Sequence, residues 1–295
     1  MLSAIPTQYM RPSWKRLAPY LSAGVPIVSV AKGVENDTLL RPTEVIADVL
    51  RGERGRIEDR VSRMEDSAGR SSPSSILHPP SSTSATGNAL AALSGPNIAA
   101  EISKYLPATA VAAAEDEGLA LRVQLVFSTQ WFRVYTNTDV TGVELAGATK
   151  NVIAIAAGIL DGLAAGNNAK AALVTRGMVE ITRLGVAMGA AEETFHGLAG
   201  VGDLITTCVS PEGRNRTVGE RIGKGQKLED VLGKMDSVAE GVPTTRSVMQ
   251  LARRHGVEMP ITEAVHAVLF EGKDAIHALT DLMARDPKPE AEQGG

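Results

Sequence analysis

The second half of the chain consists of long segments rich in alanine, leucine, valine and isoleucine, with apolar residues at helical spacing. These segments cover residues 143–163, 169–188, 218–225, 228–234, 244–255 and 261–270. From about residue 139 onward the strand-like alternation of apolar and polar residues is absent, and this favours helices over strands. We therefore expect residues 139–295 to form an all-helical domain.

Residues 1–138 show a different pattern, in which short apolar runs alternate with helical segments. Strand candidates lie at residues 27–31, 89–93, 107–114 and 133–135, and helix candidates lie at 8–21 and 39–50. In the first helix candidate, Trp14, Leu17 and Leu21 are spaced to share one face. Strands that alternate with helices are typical of a parallel sheet. The expected fold class is α/β, with a parallel-sheet domain at 1–138 followed by the helical domain.

The alternation of strands and helices breaks between about residues 52 and 88. A piece rich in arginine, glutamate and aspartate (51–70) precedes two runs of serine and proline (71–75 and 79–84). This composition cannot bury enough apolar surface to order itself. We expect a disordered surface insertion, and a peptide-binding role for it is the less favoured alternative.

Charge and composition exclude several classes of partner. The net charge is −4 and the pI is about 5.8, so the chain lacks the basic field that holds nucleic acid or an acidic membrane. We find neither a signal peptide nor an apolar run long enough to span a bilayer, and expect no membrane insertion. The single cysteine, Cys208, cannot form an intrachain disulfide and fits a reducing cytoplasm.

The histidines and the cysteine give no sign of a metal centre or of a catalytic nucleophile. The histidines, which show no metal-ligand spacing, are His78, His196, His255, His266 and His277, so no metal is predicted. Cys208 follows two threonines and has no histidine nearby in the sequence. We interpret it as a packing residue.

Polar residues interrupt the apolar second half at 147–151, 165–170, 202–208 and 213–216. Buried charge is costly unless it is paired or used. A site that holds lysine, arginine, asparagine and threonine together suits a small substrate that carries phosphate and hydroxyl groups.

Lys150 opens an apolar run and is expected to be partly desolvated. Desolvation lowers the pKa of a lysine and makes it a usable general acid or base. The alternative is a lysine that reaches solvent at a helix edge. Asn151 beside it, and Asp203 as a partner that offsets its charge, favour the functional interpretation.

Two further motifs lie where loops should meet helices. Asp203 follows a glycine-rich loop, and a helix N-cap role is compatible with a functional one there. Arg214 and Asn215 follow a turn at Gly213 and offer a guanidinium fork and an amide to a phosphate group. A solvated basic turn is the alternative interpretation of this second motif.

Two strand ends also carry candidate site residues. Lys32 follows the strand at 27–31, while Gly95 and Asn97 follow the strand at 89–93. Ligands of open α/β sheets bind outside the carboxyl ends of the strands, and a glycine there permits close approach of a ligand. The amides of the helix that follows would favour an anion or a cofactor. An ordinary turn is the alternative at both places.

In their order along the chain, these motifs resemble those of bacterial-type NAD(P)-dependent glycerol-3-phosphate dehydrogenases, over nearly the whole chain except the insertion. The segments that carry the resemblance are Val30-Ala31-Lys32-Gly33, Leu93-Ser94-Gly95-Pro96, Lys150-Asn151-Val152, Gly202-Asp203-Leu204, Gly213-Arg214-Asn215-Arg216, Glu240-Gly241 and Glu258-Met259-Pro260-Ile261-Thr262-Glu263. The resemblance implies an oxidoreductase with a Rossmann-type first domain and its active site between the two domains. Such enzymes interconvert glycerol 3-phosphate and dihydroxyacetone phosphate with NAD or NADP, for phospholipid synthesis. A homodimer is one possible assembly.

The same resemblance implies roles for individual residues. Lys150 would be the catalytic acid or base, with Asp203 as the second catalytic residue. The residues that would contact the substrate are Lys32, Gly95, Asn97, Lys150, Asp203, Gly213, Arg214 and Asn215. Those that would contact the cofactor are Lys32, Ala99, Arg214, Val238 and Glu240.

One part of the family pattern is absent from this sequence: the first strand and the Gly-x-Gly-x-x-Gly turn that holds the cofactor pyrophosphate. Ile5 and Pro6 would be the tail of a strand that is mostly missing, so we expect an exposed sheet edge and weak or absent cofactor binding. A truncated product or a misplaced start codon would explain this pattern.

Two alternative functions stay open on the sequence. One is a non-catalytic relic that binds a phosphorylated metabolite or only dimerises. The other is a related dehydrogenase for another 3-hydroxy acid, which fits less well because the basic cluster at 213–216 would lack a purpose.

Overall fold

A computed structural model of the chain describes residues 1–53, 87–235, 237–287 and 289. Its sheet has five strands, which lie side by side in chain order. They are β1 (Leu2–Ser3), β2 (Ile27–Ser29), β3 (Leu90–Ser94), β4 (Ala108–Ala113) and β5 (Phe132–Asn137). All four predicted strand segments overlap one of these strands, although β3 and β5 extend beyond the predicted bounds. The additional strand β1 forms one edge of the sheet.

The sheet is parallel except at one pair of strands. β1, β2 and β3 are parallel neighbours, as are β4 and β5, but β4 runs antiparallel to β3. The link between β3 and β4 holds only a four-residue helix, α3 (Ala99–Ile102), whereas a parallel crossover is usually carried by a full helix. α4 (Glu117–Phe127) is such a helix, and it connects β4 to the parallel strand β5.

Two helices cover the first part of the sheet. α1 (Thr7–Leu17) continues into a short 3₁₀ turn (Ala18–Tyr20), and residues 42–53 form α2. Met10 and Trp14 of α1 pack with Ile27, Val45 and Ile46 in one apolar cluster. Leu17, expected on the apolar face, is instead 42% exposed, because Met10 and Trp14 define the buried stripe.

The expected disordered insertion at about 52–88 falls almost entirely on residues 54–86, which lie outside the described residues. At its flanks, residues 52 and 53 belong to α2. Asn88 is buried, and its Nδ2 donates hydrogen bonds to the backbone oxygens of Ser22 at 3.1 Å and Val25 at 3.0 Å.

The helical part is built around α5 (Val140–Gly162), in which every residue from 142 to 160 is buried. Its N-cap is Asp139, whose side chain accepts a hydrogen bond from the amide of Gly142 at 2.7 Å. By length and composition α5 could cross a membrane, so the expectation that no apolar run is long enough was wrong. Here the helix is the core of the domain, because other elements surround it on all sides.

The helices around α5 complete the domain. They are α6 (Gly166–Ala187), α7 (Glu192–His196), a π-helical turn (Leu198–Gly202), α8 (Asp203–Val209), α9 (Arg214–Gly223), α10 (Leu228–Leu232), α11 (Gly241–His255), α12 (Pro260–Phe270) and α13 (Ala275–Met283). Strands are absent from the described residues after Asn137, in agreement with the helical periodicity of the sequence.

Helices α5 and α9 touch backbone to backbone. A Cβ atom added at Gly158 would lie 2.0 Å from the carbonyl oxygen of Arg216, and one added at Gly219 would lie 1.9 Å from that of Ile155. Gly162 and Gly223 make equally close contacts one turn further along each helix. The contacting residue numbers rise together, so the two helices run in the same direction, and only glycine fits between them.

Candidate active site

The side chain of Lys32 joins the segments that follow β2 and β3. Lys32, just after β2, points its Nζ at the carbonyl oxygen of Gly95 and at Oδ1 of Asn97, each 3.0 Å away. Both partners follow β3. The structure therefore brings together the two strand-end motifs that the sequence singled out.

Gly95 has a structural requirement of its own. Its φ is +143°, and a Cβ atom there would lie 2.9 Å from the Cα of Ala110. The backbone of the antiparallel neighbour β4 thus makes a close approach that itself needs a glycine. A ligand contact at Gly95, which the sequence analysis expects, stays a prediction.

Lys150 lies in the middle of α5 and is only 5% exposed, which rules out the solvent-reaching alternative. Its Nζ is 2.5 Å from Oδ1 of Asp203 and 2.5 Å from Oγ1 of Thr207. Burial, and next the charge of Lys32, lower the pKa of Lys150 to about 8, although Asp203 opposes that shift. This side chain therefore changes protonation state close to neutral pH.

Asp203 bridges the two lysines. Its Oδ1 faces Lys150, and its Oδ2 is 2.7 Å from the Nζ of Lys32. The side chain is 2% exposed, so a buried carboxylate is offset by two cations. The N-cap role that the sequence allowed is not observed, because Asp203 is the first residue of α8 and the cap position is Gly202.

Thr207 is a member of this cluster that sequence reasoning missed. It lies one helical turn after Asp203 on α8, and both residues face Lys150. The i, i+4 spacing of a hydroxyl and a carboxylate on one helix was the available signal, but the sequence indicates no end for the helix expected at Asp203.

Asn151 joins α5 to the sheet. Its Nδ2 donates to the backbone oxygen of Lys32 at 2.9 Å, and to that of Gly147 at 3.4 Å. Lys32 is thereby fixed at its backbone by Asn151 and at its side chain by Asp203. Helix α5 and the segment that follows β2 are joined at this point.

The first turn of α9 lies against the start of α11. Gly213 is the N-cap of α9, and Arg214 donates from Nη1 to the backbone oxygen of Val238 at 3.2 Å. The amide of Gly241 donates to Oδ1 of Asn215 at 2.9 Å. A Cβ atom at Gly241 would lie 2.7 Å from the backbone oxygen of Asn151, so these residues lie close to the lysine pair.

Glu240 links the start of α11 to the first part of the chain. Its Oε1 accepts from the amide of Thr7 at 2.7 Å, and its Oε2 from the amide of Lys32 at 3.4 Å. Of the sequence-predicted cofactor residues, Lys32 thus contacts Glu240 and Arg214 contacts Val238, while Ala99 lies at the exposed start of α3.

Comparison with known proteins identifies the family. A model of the NAD-dependent glycerol-3-phosphate dehydrogenase C-terminus matches residues 139–280, and a model of the N-terminus of the same family matches residues 1–58. Glycerol-3-phosphate dehydrogenase of the NAD(P)+ type from Geobacter sulfurreducens is 50% identical over 285 residues, which are 97% of this chain and 76% of the relative. The chain belongs to the NAD(P)-dependent glycerol-3-phosphate dehydrogenase family.

Other glycerol-3-phosphate dehydrogenases give the same result. One of the two from Salinibacter ruber is 48% identical over 287 residues, or 97% of this chain and 75% of the relative. The crystal structure of glycerol-3-phosphate dehydrogenase from Coxiella burnetii matches with a TM-score of 0.81 and 32% identity. It covers 96% of this chain, which spans 76% of that structure. The expected family, the sheet domain followed by helices, and the NAD(P) dependence of the family are thereby confirmed.

Proposed function

We propose that this chain interconverts glycerol 3-phosphate and dihydroxyacetone phosphate, with Lys150 as the acid or base. The observation that carries the proposal is the bridge from Lys150 through Asp203 to Lys32. Two lysines and one carboxylate held together out of solvent form a site that controls one proton next to a polar substrate.

Lys150 supplies the proton path. With its pKa near 8, the ammonium gives a proton to the carbonyl oxygen when the ketone is reduced, and the amine takes a proton from the hydroxyl in the reverse reaction. Asp203 and Thr207 hold Nζ in place by accepting hydrogen bonds from it. When bound, a nicotinamide cofactor would supply the hydride to the substrate carbon in reduction and accept it in oxidation.

The first turn of α9 supplies the phosphate contacts. Arg214 offers a planar fork of N–H donors, and Asn215 offers an amide. Both follow the N-cap at Gly213, where free backbone N–H groups also favour an anion. Phosphate held here fixes the position of the substrate carbon relative to Lys150.

The residues at the strand ends fit the nicotinamide end of the cofactor. Ser94 ends β3, and its Oγ is buried without a hydrogen-bond partner among the described residues. Ser94 and Lys32 both lie against Gly147, and Glu240 accepts a hydrogen bond from the amide of Lys32. The Gly-x-Gly-x-x-Gly pattern does not occur in the sequence, so these residues would hold the nicotinamide end and not the pyrophosphate.

The direct test is oxidation of NADH and of NADPH by the purified chain in the presence of dihydroxyacetone phosphate. Because the sequence lacks the pyrophosphate-binding turn, slow turnover that needs a high concentration of NADH or NADPH is the expected result. It should be much slower still with dihydroxyacetone, which lacks the phosphate. A parallel titration with glycerol 3-phosphate in a calorimeter measures substrate binding separately from turnover.

Binding without turnover would favour the non-catalytic alternative and overturn the proposed activity. Turnover with other 3-hydroxy acids but not with dihydroxyacetone phosphate would overturn the substrate. A cytoplasmic location and a homodimer complete the proposal; the unpaired, buried Cys208 supports the first, and sedimentation measures the second.

A further inference from the structure

We infer that Asp161 is a positioning residue, which fixes the helix that presents Arg214 and Asn215 to the substrate. It lies near the end of α5 and forms ion pairs with two other helices. Its Oδ2 is 2.6 Å from Nη2 of Arg216 on α9, and its Oδ1 contacts Nζ of Lys170 on α6. The inference rests on the proposed function, because it gives these residues a role in binding the phosphate.

The contact between α5 and α9 sets the distance between the two helices. The glycines at 158, 162, 219 and 223 bring the two backbones together, and Val218 of α9 is buried in the same apolar cluster as Ile155 and Ile159 of α5. On α9 these contacts begin at Arg216 and do not include Arg214 and Asn215, which precede it in the first turn. The ion pair to Asp161 adds a side-chain bond that holds this first turn against α5 and α6.

The ion pair lies beside the residues of α9 that are proposed to bind phosphate. Arg216 directly follows Asn215, in the first turn of α9. The side chains of Asp161, Arg216 and Lys170 are 20%, 15% and 19% exposed, so solvent screens their interaction only in part. The other carboxylate near this guanidinium among the described residues, that of Glu220, is more distant, at 3.6 Å.

Loss of the carboxylate would leave two cations facing each other. Lys170 and Arg216 would then repel one another with no charge between them. The two side chains would move apart, and a shift of Arg216 would carry the adjacent Asn215 and Arg214 with it. Lys150 lies three turns earlier on α5, and among the described residues no hydrogen bond or ion pair joins Asp203 or Thr207 to Asp161, Lys170 or Arg216.

The variant Asp161→Asn should therefore weaken substrate binding more than chemistry. We expect the KM for dihydroxyacetone phosphate to rise about tenfold, as loss of one charge-assisted contact would predict, while kcat changes less than twofold. Asp161→Glu, which keeps the charge, should recover most of the loss. The control is Lys224→Ala, which removes an exposed ion pair to Glu220 at the other end of the same helix and should change neither constant.

Hydrogen exchange gives a readout that does not depend on activity. In Asp161→Asn, the amides of residues 217–220, which are the first in α9 to donate intrahelical hydrogen bonds, should exchange faster, while those of α11 keep their protection. Unchanged exchange at 217–220, or a fall in kcat that is as large as the rise in KM, would overturn the positioning role.

A further variant distinguishes positioning from direct contact. Lys170→Met leaves the pair of Asp161 and Arg216 intact and should leave KM nearly unchanged. A rise in KM equal to that of Asp161→Asn would mean that the cations themselves bind substrate, and would overturn the inference. A wild-type chain that neither binds nor turns over the substrate would instead refute the proposed function, and the exchange measurement would still report on α9.

Discussion

The Nζ of Lys150 lies 2.5 Å from Oδ1 of Asp203, which is the first residue of α8. Lys150 comes from α5, in which every residue from 142 to 160 is buried. Asp203 comes from α8, which starts after a glycine-rich turn. The reactive pair is therefore held by two rigid elements, and the geometry between them does not depend on a mobile loop.

Replacement of Lys150 by methionine should remove most of the activity. The variant keeps the volume of the side chain but loses the group that exchanges the proton, so kcat should fall by about a hundredfold to ten-thousandfold. Circular dichroism should be unchanged, because Asp203 keeps its pair with Lys32. Activity near that of the wild-type enzyme would remove Lys150 from the mechanism, and Lys224→Met serves as the control for loss of one lysine.

The two directions of the reaction should respond oppositely to pH. Burial and Lys32 lower the pKa of Lys150 from 10.5 to about 8. Ketone reduction needs the protonated ammonium, so its kcat/KM should fall as the pH rises through about 8. Alcohol oxidation needs the neutral amine and should speed up over the same interval. Initial rates of both reactions between pH 6.5 and 9.5 measure the two pH dependences. Rates that change in the same direction with pH would contradict the role of Lys150 as the acid or base.

Replacement of Arg214 by alanine should weaken binding of the phosphorylated substrate. Loss of a charge-assisted hydrogen bond to phosphate costs about 2 kcal/mol, which corresponds to a rise in KM of about thirtyfold. The Michaelis constant for dihydroxyacetone phosphate is the quantity to measure. An unchanged constant would place the phosphate elsewhere. Arg221→Ala, in the last turn of the same helix, is the matched control.

Glu180 should make the stability of the fold depend on pH. It is buried on α6, and the amides of Ile261 and Thr262 donate to its carboxylate at 2.7 and 3.3 Å. Burial nevertheless raises the pKa of Glu180 from 4.5 to about 7. The unfolded chain therefore releases this proton at lower pH than the folded chain does.

The free energy of unfolding should fall as the pH rises from about 4.5 to 7 and should then level off. The total decrease should be about 3 kcal/mol. Thermal melts at pH 5, 6 and 7.5 measure this slope. Glu180→Gln, which does not titrate, should show a flatter dependence, whereas the exposed Glu193→Gln should match the wild type. Equal slopes in all three proteins would show that Glu180 does not titrate in this interval.

Alanine at Gly219 should destabilise the protein. The new Cβ atom would lie 1.9 Å from the carbonyl oxygen of Ile155, so α9 must move away from α5, at a cost of about 1–3 kcal/mol or more. Gly52 on α2 is the control, because a Cβ atom there meets nothing within 4 Å. Gly52→Ala should be neutral or stabilising by about 0.5–1 kcal/mol. Equal melting temperatures for the two variants would contradict the close contact.

The sequence was most informative where a charged residue interrupts an apolar run. Lys150 and Asp203 could be predicted because a charge among buried neighbours has to be paired or used. Thr207 and Asp161 were not predicted, because their partners lie far along the chain and only the folded backbone brings them together. The direction of β4 was also outside the reach of the sequence, because the apolar pattern of a buried strand is the same in both directions.

The backbone contact between α5 and α9 limits how this enzyme can change over evolution. Pockets commonly adapt to a new substrate when large and small side chains in a packing layer are exchanged, but no such layer separates these two helices. The distance from Lys150, the proposed acid or base, to the turn proposed to bind phosphate should therefore stay constant. A homologue that accepts a longer or shorter substrate should therefore differ at the strand ends, around Lys32 and Asn97, where side chains rather than backbones form the wall.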